Sequence, residues 1–386
     1  MNILQLSSGL HREFGGPPVA TVGVALALKK LNHQVHLIIF GQSKSSQFSN
    51  NDFYLSLEKA GVFTLRCHSW ITSKYGGLGN FANLIAIFKG ITNSDIILFH
   101  QVYNLQNVFL VPIAKIFNKP TILMPHGSFT IYQLERSSWK KRIFSPYFNL
   151  LLHFCIDNIF VATEKEMQEL KPKLRRKAKI VGLGINNYKK ILIKKRNSDI
   201  FNFLYMGRIT SKKRLDIAID AFARILRQTD KKLHFNICGT GDENILRNSK
   251  NQITSLSISD YVSFLGWKSG AEKEEILKKS NCFILTSEDE NFAIAVAETL
   301  QYGIPSIISE NVALSSVVKK FNAGLVFQNL DAIEISKLMI EIVDADQNIL
   351  YESAINASEQ FSWDLVGKVW ERCLYECIDF SMNKKQ

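Results

Sequence analysis

Residues 282–309 read CFILTSEDENFAIAVAETLQYGIPSIIS. An apolar run ends in Thr286 and Ser287, three acids follow (Glu288, Asp289 and Glu290), and a second apolar run then extends to Gly303 and Pro305. Strand, loop, helix and strand succeed one another, which is the order of a parallel βαβ unit. Strands that are short and apolar throughout belong to sheets covered by helices on both faces. Acids at a helix start complement its dipole. Glu298, eight positions after Glu290, is different because it sits among Ala, Val and Leu. An ionised carboxylate left apolar and unpaired is costly, so Glu298 needs a partner. A salt bridge to a neighbouring Lys or Arg and a ligand contact both meet that need, and the helix alone does not choose between them.

The same alternation runs outward in both directions. The chain opens with a strand, NILQLSS, a Gly-rich loop, GLHREFGGPP, a helix, VATVGVALALKKLN, and a second strand, QVHLIIF. SDIILFH, PTILMPHG, NIFVATE and AKIVGLG read as further strands of the first half. After the Lys-rich linker INNYKKILIKKRNSD the pattern restarts with IFNFLYMGR, KLHFNICG, YVSFLG, CFILTS and PSIIS, separated by helices. Two such series predict two Rossmann-like, doubly wound α/β domains: 1–190, then 191–365, with a closing helix and polar tail over 366–386. Ligands of such sheets bind outside the carboxyl ends of the strands, which predicts a cleft between the domains.

With 386 residues the chain exceeds the size of one growing core, in agreement with two domains. Its 46% hydrophobic and 21% charged residues are those of an ordinary globular protein. The start shows no basic region followed by a long apolar one, so no signal peptide is expected. No uninterrupted apolar window is long enough to span a bilayer, and YFNLLLHFCIDNIFVA, the nearest, is broken by Asn149, His153 and Asp157. A cytoplasmic location is expected, with association at the inner membrane face. The six cysteines show no CxxC spacing, so buried thiols are expected rather than a metal site or a disulfide framework. The net charge of +12 is unevenly spread: 26 Lys/Arg and 9 Asp/Glu fall in 1–196, 21 and 26 in 197–386. A basic half suits an anionic partner, whether nucleic acid, membrane surface or substrate, and equally a merely solvated face.

The loops narrow the chemistry. SSGLHREFGGPP does not match GxGxxG, and no acid closes the next strand where a ribose partner belongs, so a simple dinucleotide site is disfavoured. Gly15 and Gly16 allow a ligand close to the backbone, with Pro17 and Pro18 opening the helix behind them. A phosphate at that helix start and a plain tight turn remain equal readings. CGTGDEN has a GxG, Gly239 and Gly241, without the third glycine. In GRITSKKRLD, Arg208 offers a fork of donors and Lys213 a mobile point charge at a strand's carboxyl end, a pair suited to a diphosphate; such residues are also often simply solvated. A carboxylate such as Glu298 accepts hydrogen bonds from both vicinal hydroxyls of a ribose.

ENFAIAVAETLQYGIPSII resembles the Glu-x7-Glu signature of retaining family 4 glycosyltransferases, with their Gly-x-Pro and strand behind it. The resemblance extends over nearly the whole chain, through FGGPP, LNHQVHL, DIILFH, ILMPHGSF, GRITSKKRLD, ICGTGDE, YVSFLG and FSWDLVGKVWERCLYE. It implies a GT-B fold: two Rossmann-like domains, acceptor on the first, nucleotide sugar mainly on the second, and a last helix returning to the first. Carried over, Arg208 and Lys213 clamp the donor's diphosphate, Glu298 holds the ribose, and Glu290 meets hydroxyls of the transferred sugar. The amides of Asn291, Phe292, Ala293 and Ile294 lie near sugar and phosphate, Gly239 and Gly241 belong to the donor loop, and Gly16 approaches the diphosphate. His126 matches a histidine beside the reacting sugar and His100 lines the acceptor side, where a buried structural histidine is an equal reading. The catalytic set is thus His126, Arg208, Lys213 and Glu290.

Retention without a protein nucleophile implies front-side displacement, in which the leaving diphosphate takes the acceptor's proton and positive side chains stabilise it. The nucleotide sugar is then a co-substrate. No cofactor and no metal are expected, since no Asp-x-Asp sits at a strand end. The acceptor implied is a lipid-linked or free cell-surface glycan, with the basic first domain and WKKRIFSPYFNLLLHF facing an anionic membrane; nucleic acid is not expected. Three departures stand out: Ala293 where the family often has Gly or Pro, Arg214 where Gly often follows the Lys, and VGLGIN in place of Pro-Asn-Gly-Val-Asp. A non-catalytic nucleotide-sugar-binding member and a GT-B epimerase are the alternatives.

Overall fold

The computed structural model describes residues 1–10, 15–42, 52–68, 81–135, 139–185 and 199–383. The linker 186–198 and residues 11–14 of the first loop lie outside the described residues. The chain divides into two compact units, Met1–Asn186 with Trp363–Gln386, and Asn187–Ser362.

The first unit holds seven parallel strands: β1 Asn2–Ser8, β2 Gln34–Gln42, β3 Phe63–His68, β4 Ile96–His100, β5 Thr121–Met124, β6 Asn158–Val161 and β7 Ala178–Ile180. Their order is β3-β2-β1-β4-β5-β6-β7. In β4 and β5 every residue is buried, as expected for strands covered on both faces. Helices pack Leu110, Val111, Leu151 and Leu152 onto one face of this sheet with Leu4, Leu6, Ile38 and Phe99. The helix Trp139–Phe154 ends at the ammonium of Lys177, which donates to the carbonyls of His153 (2.7 Å) and Ile156 (2.8 Å). That satisfies acceptors orphaned at a helix C-terminus.

The last helix, Trp363–Asn383, belongs to this unit. Trp363 lies over two glycines: a Cβ would meet its ring at 2.1 Å from Gly23 and 2.4 Å from Gly184. Trp370 donates to the carbonyl of Gly182 (3.2 Å), and Asp364 and Glu371 pair with Lys30 (2.6 Å) and His33 (2.8 Å). Packing of this helix therefore explains Gly184, Gly182 answers to its positive φ (74°), and Leu183 between them is buried.

The second unit holds six parallel strands: β8 Ile200–Met206, β9 Lys232–Cys238, β10 Val262–Gly266, β11 Cys282–Leu285, β12 Ser306–Ser309 and β13 Gly324–Phe327. Their order is β10-β9-β8-β11-β12-β13. Phe203, Phe222 and Phe235 stack through its core with centroids 5.3–6.0 Å apart. Both sheets thus follow the doubly wound order, in which the direction of winding reverses beside the first strand. The reversal lies between β1 and β4 in one unit and between β8 and β11 in the other. Strands β3 and β13 add to those expected from the sequence. Both are edge strands, and their partly buried runs carry a weaker apolar signal than the strands inside the sheets. All six cysteines are free thiols.

Candidate functional site

In the second unit the reversal point is built by the loops leaving β8 and β11, and the two are closed on each other like a zip. Lys212 pairs with Asp289 (2.9 Å), Lys213 with Glu290 (2.6 Å), and Arg214 with Glu288 (3.7 Å). Backbone bonds run through the same seam: Glu288 N–H donates to the Lys212 carbonyl (2.9 Å), and the Thr286 hydroxyl donates to the carbonyls of Lys213 (3.0 Å) and Arg214 (2.7 Å). Three consecutive bases therefore meet three consecutive acids, more than 70 positions away in sequence.

Glu290 is the most constrained of the six. Its N–H donates to the Asn311 carbonyl (3.3 Å), its own carbonyl accepts from Ala313 N–H (3.1 Å), and its carboxylate accepts from the Ser287 hydroxyl (2.8 Å). Burial pushes its carboxyl up, but Lys213 and Lys212 beside it, with hydrogen bonds from Lys213 and Ser287, outweigh burial and hold it below the usual glutamate range. Tyr205, buried in β8, donates to the Arg208 carbonyl (3.2 Å), while the Arg208 side chain itself is exposed.

The helix after the acids runs Ile294–Gln301, and Ala293, in the left-handed conformation (φ 65°, ψ 65°), holds its entry. Arg214 is left-handed too (φ 46°, ψ 45°). Ala293 and Arg214, two of the departures from the family pattern that the sequence resembles, thus both take a backbone that glycine adopts freely and other residues adopt at a cost of about 1–2 kcal/mol. At Arg214 the guanidinium also holds Asp216 (2.9 Å). Phe292 is buried, with its ring against Phe361 (5.6 Å between centroids).

Glu298 lies one turn inside this helix, half-buried, and pairs with Lys273 (2.7 Å) on the helix Gly270–Lys279. Its burial is therefore compensated by a cation, and sequence reasoning did not single out Lys273: it sits among Glu272, Glu274, Glu275 and Lys278 in an ordinary charged helix. Gly239 and Gly241 cross the loop after β8 so closely that a Cβ on either would lie 1.9 Å from the carbonyl oxygen of Gly207 or Ile209. Loop packing alone demands both glycines.

The first unit's reversal point is built from neutral groups. Gly16, exposed, opens the helix Gly16–Lys30 behind Gly15 (φ 75°). His100, fully buried at the end of β4, places Nε2 2.9 Å from Gln5 Oε1 and Nδ1 3.0 Å from His126 Nε2. The two rings lie 19° from coplanar. Burial lowers the His126 pKa to about 4 and, with the neighbouring His126, takes His100 well below its usual value, so both rings are neutral at pH 7. His126 and Gly127 occupy the centre of a tight turn closed by Ser128 N–H to the Pro125 carbonyl (3.1 Å), and both have positive φ (51° and 77°). Such a turn suits glycine at both centres and strains a histidine. A buried carboxylate fixes it: Glu166 accepts from Gly127 N–H (2.6 Å) and Ala162 N–H (2.8 Å). Thr163 and Glu166 have capping-box spacing, the one sequence signal that marks this glutamate.

Further along the first unit, the helix Trp139–Phe154 buries Phe148, Leu151 and Leu152 and exposes Tyr147, Leu150 and Phe154. Phe109 and Ile116 of the neighbouring helix Leu105–Ile116 are exposed as well. The side chains of Lys140, Lys141 and Arg142 lie outside the described residues. Among the described residues no helix is long and apolar enough to cross a membrane, and no group of three or more His, Cys, Asp or Glu is placed to hold a metal ion.

Residues 185–361 match the family glycosyl transferases group 1. An uncharacterized glycosyltransferase of Methanocaldococcus jannaschii is 26% identical over 309 residues, 77% of this chain and 82% of that one. The alpha-monoglucosyldiacylglycerol synthase of Streptococcus pneumoniae is 28% identical over 159 residues, 41% of this chain and 35% of that one. Among solved structures, Anabaena HepE in complex with UDP-glucose superposes with a TM-score of 0.74 at 16% identity, over 97% of this chain and 99% of that one. The two doubly wound units are those of the GT-B fold, and the match to the group 1 glycosyltransferases falls on residues 185–361.

Proposed function

We propose that the protein is a retaining glycosyltransferase that takes a sugar from a nucleotide-sugar donor and places it on a glycan acceptor, a lipid-linked intermediate of a cell-surface polysaccharide. The observation that carries this reading is the Lys213–Glu290 pair at 2.6 Å, held between the β8 and β11 loops at the second unit's reversal point. It sets a cation suited to phosphate against a carboxylate suited to sugar hydroxyls, at the place where doubly wound sheets bind ligands. In this reading Arg208 and Lys213 receive the diphosphate, Glu290 the transferred sugar and Glu298 the ribose, with Lys273 paired to Glu298 and orienting it. The loop of Asn291, Phe292, Ala293 and Ile294 and the crossing of Gly239 and Gly241 shape the donor's surroundings. His126 stands beside the reacting sugar and His100 behind it.

The reaction breaks the bond from the anomeric carbon to the diphosphate oxygen and forms one to the acceptor oxygen on the same face. The acceptor proton passes to the leaving diphosphate, and Arg208 and Lys213 stabilise the charge that develops there. The residues assigned to the site need no resident cofactor or metal for these steps. HepE is described with UDP and with UDP-glucose, and the pneumococcal relative as a synthase of a glycolipid, which favours a nucleotide sugar as donor and a lipid-linked acceptor. Exposed Tyr147, Leu150 and Phe154 on the first unit suit peripheral contact with a membrane surface.

A thermal-shift screen of nucleotide sugars tests the donor site, because a bound donor raises the midpoint by mass action. Incubation of the stabilising donor with lipid-linked glycans, followed by determination of the product's anomeric configuration, tests transfer and retention. No shift with any nucleotide sugar at millimolar concentration removes the donor assignment. Conversion of the donor without acceptor points to an epimerase, and binding without any turnover to a non-catalytic protein.

A further inference from the structure

Three buried side chains surround the His126 turn: His100 on β4 touches the His126 ring, Gln5 on β1 touches His100, and Glu166 in the helix Glu164–Glu169 binds the N–H of Gly127 next to it. We propose that Gln5, His100 and Glu166 are positioning residues for His126. Together they hold its backbone in the strained turn and its ring as the Nε2–H tautomer, leaving Nδ1 as a hydrogen-bond acceptor for a substrate hydroxyl. The proposal rests on the reading of His126 as a group beside the reacting sugar.

The direction of the chain follows from what each atom is able to do. An amide oxygen only accepts, so Gln5 Oε1, 2.9 Å from His100 Nε2, requires the proton on that nitrogen. A neutral His100 then has a bare Nδ1, which only accepts, so His126 Nε2 at 3.0 Å donates to it. A neutral His126 that donates from Nε2 has a bare Nδ1. Neutrality of both rings is secured by burial, which lowers both pKa values below the physiological range. Turning the Gln5 amide over reverses every step and gives His126 an Nδ1–H donor instead. Gln5 Nε2 is buried with no hydrogen-bond partner among the described residues, so the amide is oriented at a cost, and its orientation selects the tautomer of His126 through His100.

Glu166 acts on the other side of the same residue. Its two oxygens accept from Gly127 and Ala162 N–H groups at 2.6 and 2.8 Å, tying the turn that follows β5 to the end of β6. Without that tie, a left-handed histidine relaxes toward the ordinary backbone, and its ring leaves His100. Sheet pairing alone does not hold the turn, because β5 ends at Met124, two residues before His126.

The experiment labels the protein's histidines with 15N and reads each tautomer from long-range proton–nitrogen correlations, with the His126 signals assigned by their loss in His126→Asn. The wild type is expected to show His126 protonated at Nε2 and bare at Nδ1. In Gln5→Leu the two tautomers become mixed, and kcat falls roughly 10- to 100-fold while KM for the donor stays unchanged. A wild-type spectrum with the proton on Nδ1 overturns the proposal even if Gln5→Leu does not fold. So does a Gln5→Leu enzyme that keeps both tautomer and kcat. A changed tautomer with unchanged kcat overturns the positioning role. If the wild type transfers no sugar at all, the functional reading fails separately, because the tautomer measurement needs no activity.

Discussion

The two reversal points of this molecule are topological counterparts, yet they are built from opposite chemistry. In the second unit, three bases and three acids face each other across two loops, and in the first a neutral Gln–His–His chain is sealed by burial and one clamped carboxylate. The ionic seam is redundant: with Lys213 turned toward a phosphate, Glu290 still has Lys212 and the Ser287 hydroxyl beside it. A buried neutral chain has no such freedom, because each member left without its partner carries the full desolvation cost. The first arrangement suits a site that must receive and release a charged nucleotide. The second suits one that must hold a single group in a fixed state.

The largest break in this comparison is expected at Lys213. Lys213→Ala removes the cation assigned to the developing diphosphate charge, and turnover should fall roughly 100- to 1000-fold in a sugar-transfer assay. A loss under threefold would mean that the ion pair only staples the loops. Next comes Glu166→Ala, which strips two charge-assisted hydrogen bonds from buried amides and should cost about 3 kcal/mol in urea denaturation. An unchanged midpoint would show that the turn at His126 holds without its clamp.

The pH response sharpens the contrast further. Unfolded histidines titrate near 6.5, whereas burial lowers the His126 pKa to about 4 in the folded chain and takes that of His100 well below its usual value. Their contribution to stability is therefore complete above about pH 6.5 and is lost progressively as pH falls toward 4. Glu290, held below the usual glutamate range, keeps its contribution above the ordinary glutamate pKa and loses it as pH falls from there through its own lower value. Melting curves between pH 7 and 4.5 should show the wild type weakening, and the slope should be shallower in a His100→Gln, His126→Asn double variant. Equal slopes would mean that the two rings are not held neutral. The smallest effect is expected at Ala293→Gly, where relief of a left-handed Ala is partly offset by glycine's greater unfolded freedom. The net gain should be below about 1 kcal/mol by chemical denaturation, and a clear destabilisation would show that the methyl group packs usefully there.

Much of the fold was legible in the chain because parallel strands covered on both faces appear as unbroken apolar runs. The edge strands β3 and β13 were harder to read, since exposure mixes their pattern: Phe63 is exposed while Cys67 is buried. At the site, Arg208, Lys213, Glu290 and Glu298 were marked by type and place, a charge at a strand end or a carboxylate in an apolar helix. Their partners were not. Nothing near Glu298 in sequence points to Lys273, 25 positions earlier, and Gln5, a polar residue in the middle of an apolar strand, carries no sign in the sequence of the histidine it meets. The requirement for Gly239 and Gly241 was visible, whereas its cause, the carbonyls of Gly207 and Ile209, was not.

By itself, then, the sequence determined two doubly wound units and which residues carry charge at the ends of their strands, because both follow from local periodicity and residue type. Only the tertiary structure decided that 212–214 zip against 288–290, that Arg214 and Ala293 take a glycine's backbone, and that His126 is neutral with its proton directed toward His100. Those outcomes depend on which distant groups share a desolvated space, where a few ångströms decide charge state and hydrogen-bond direction.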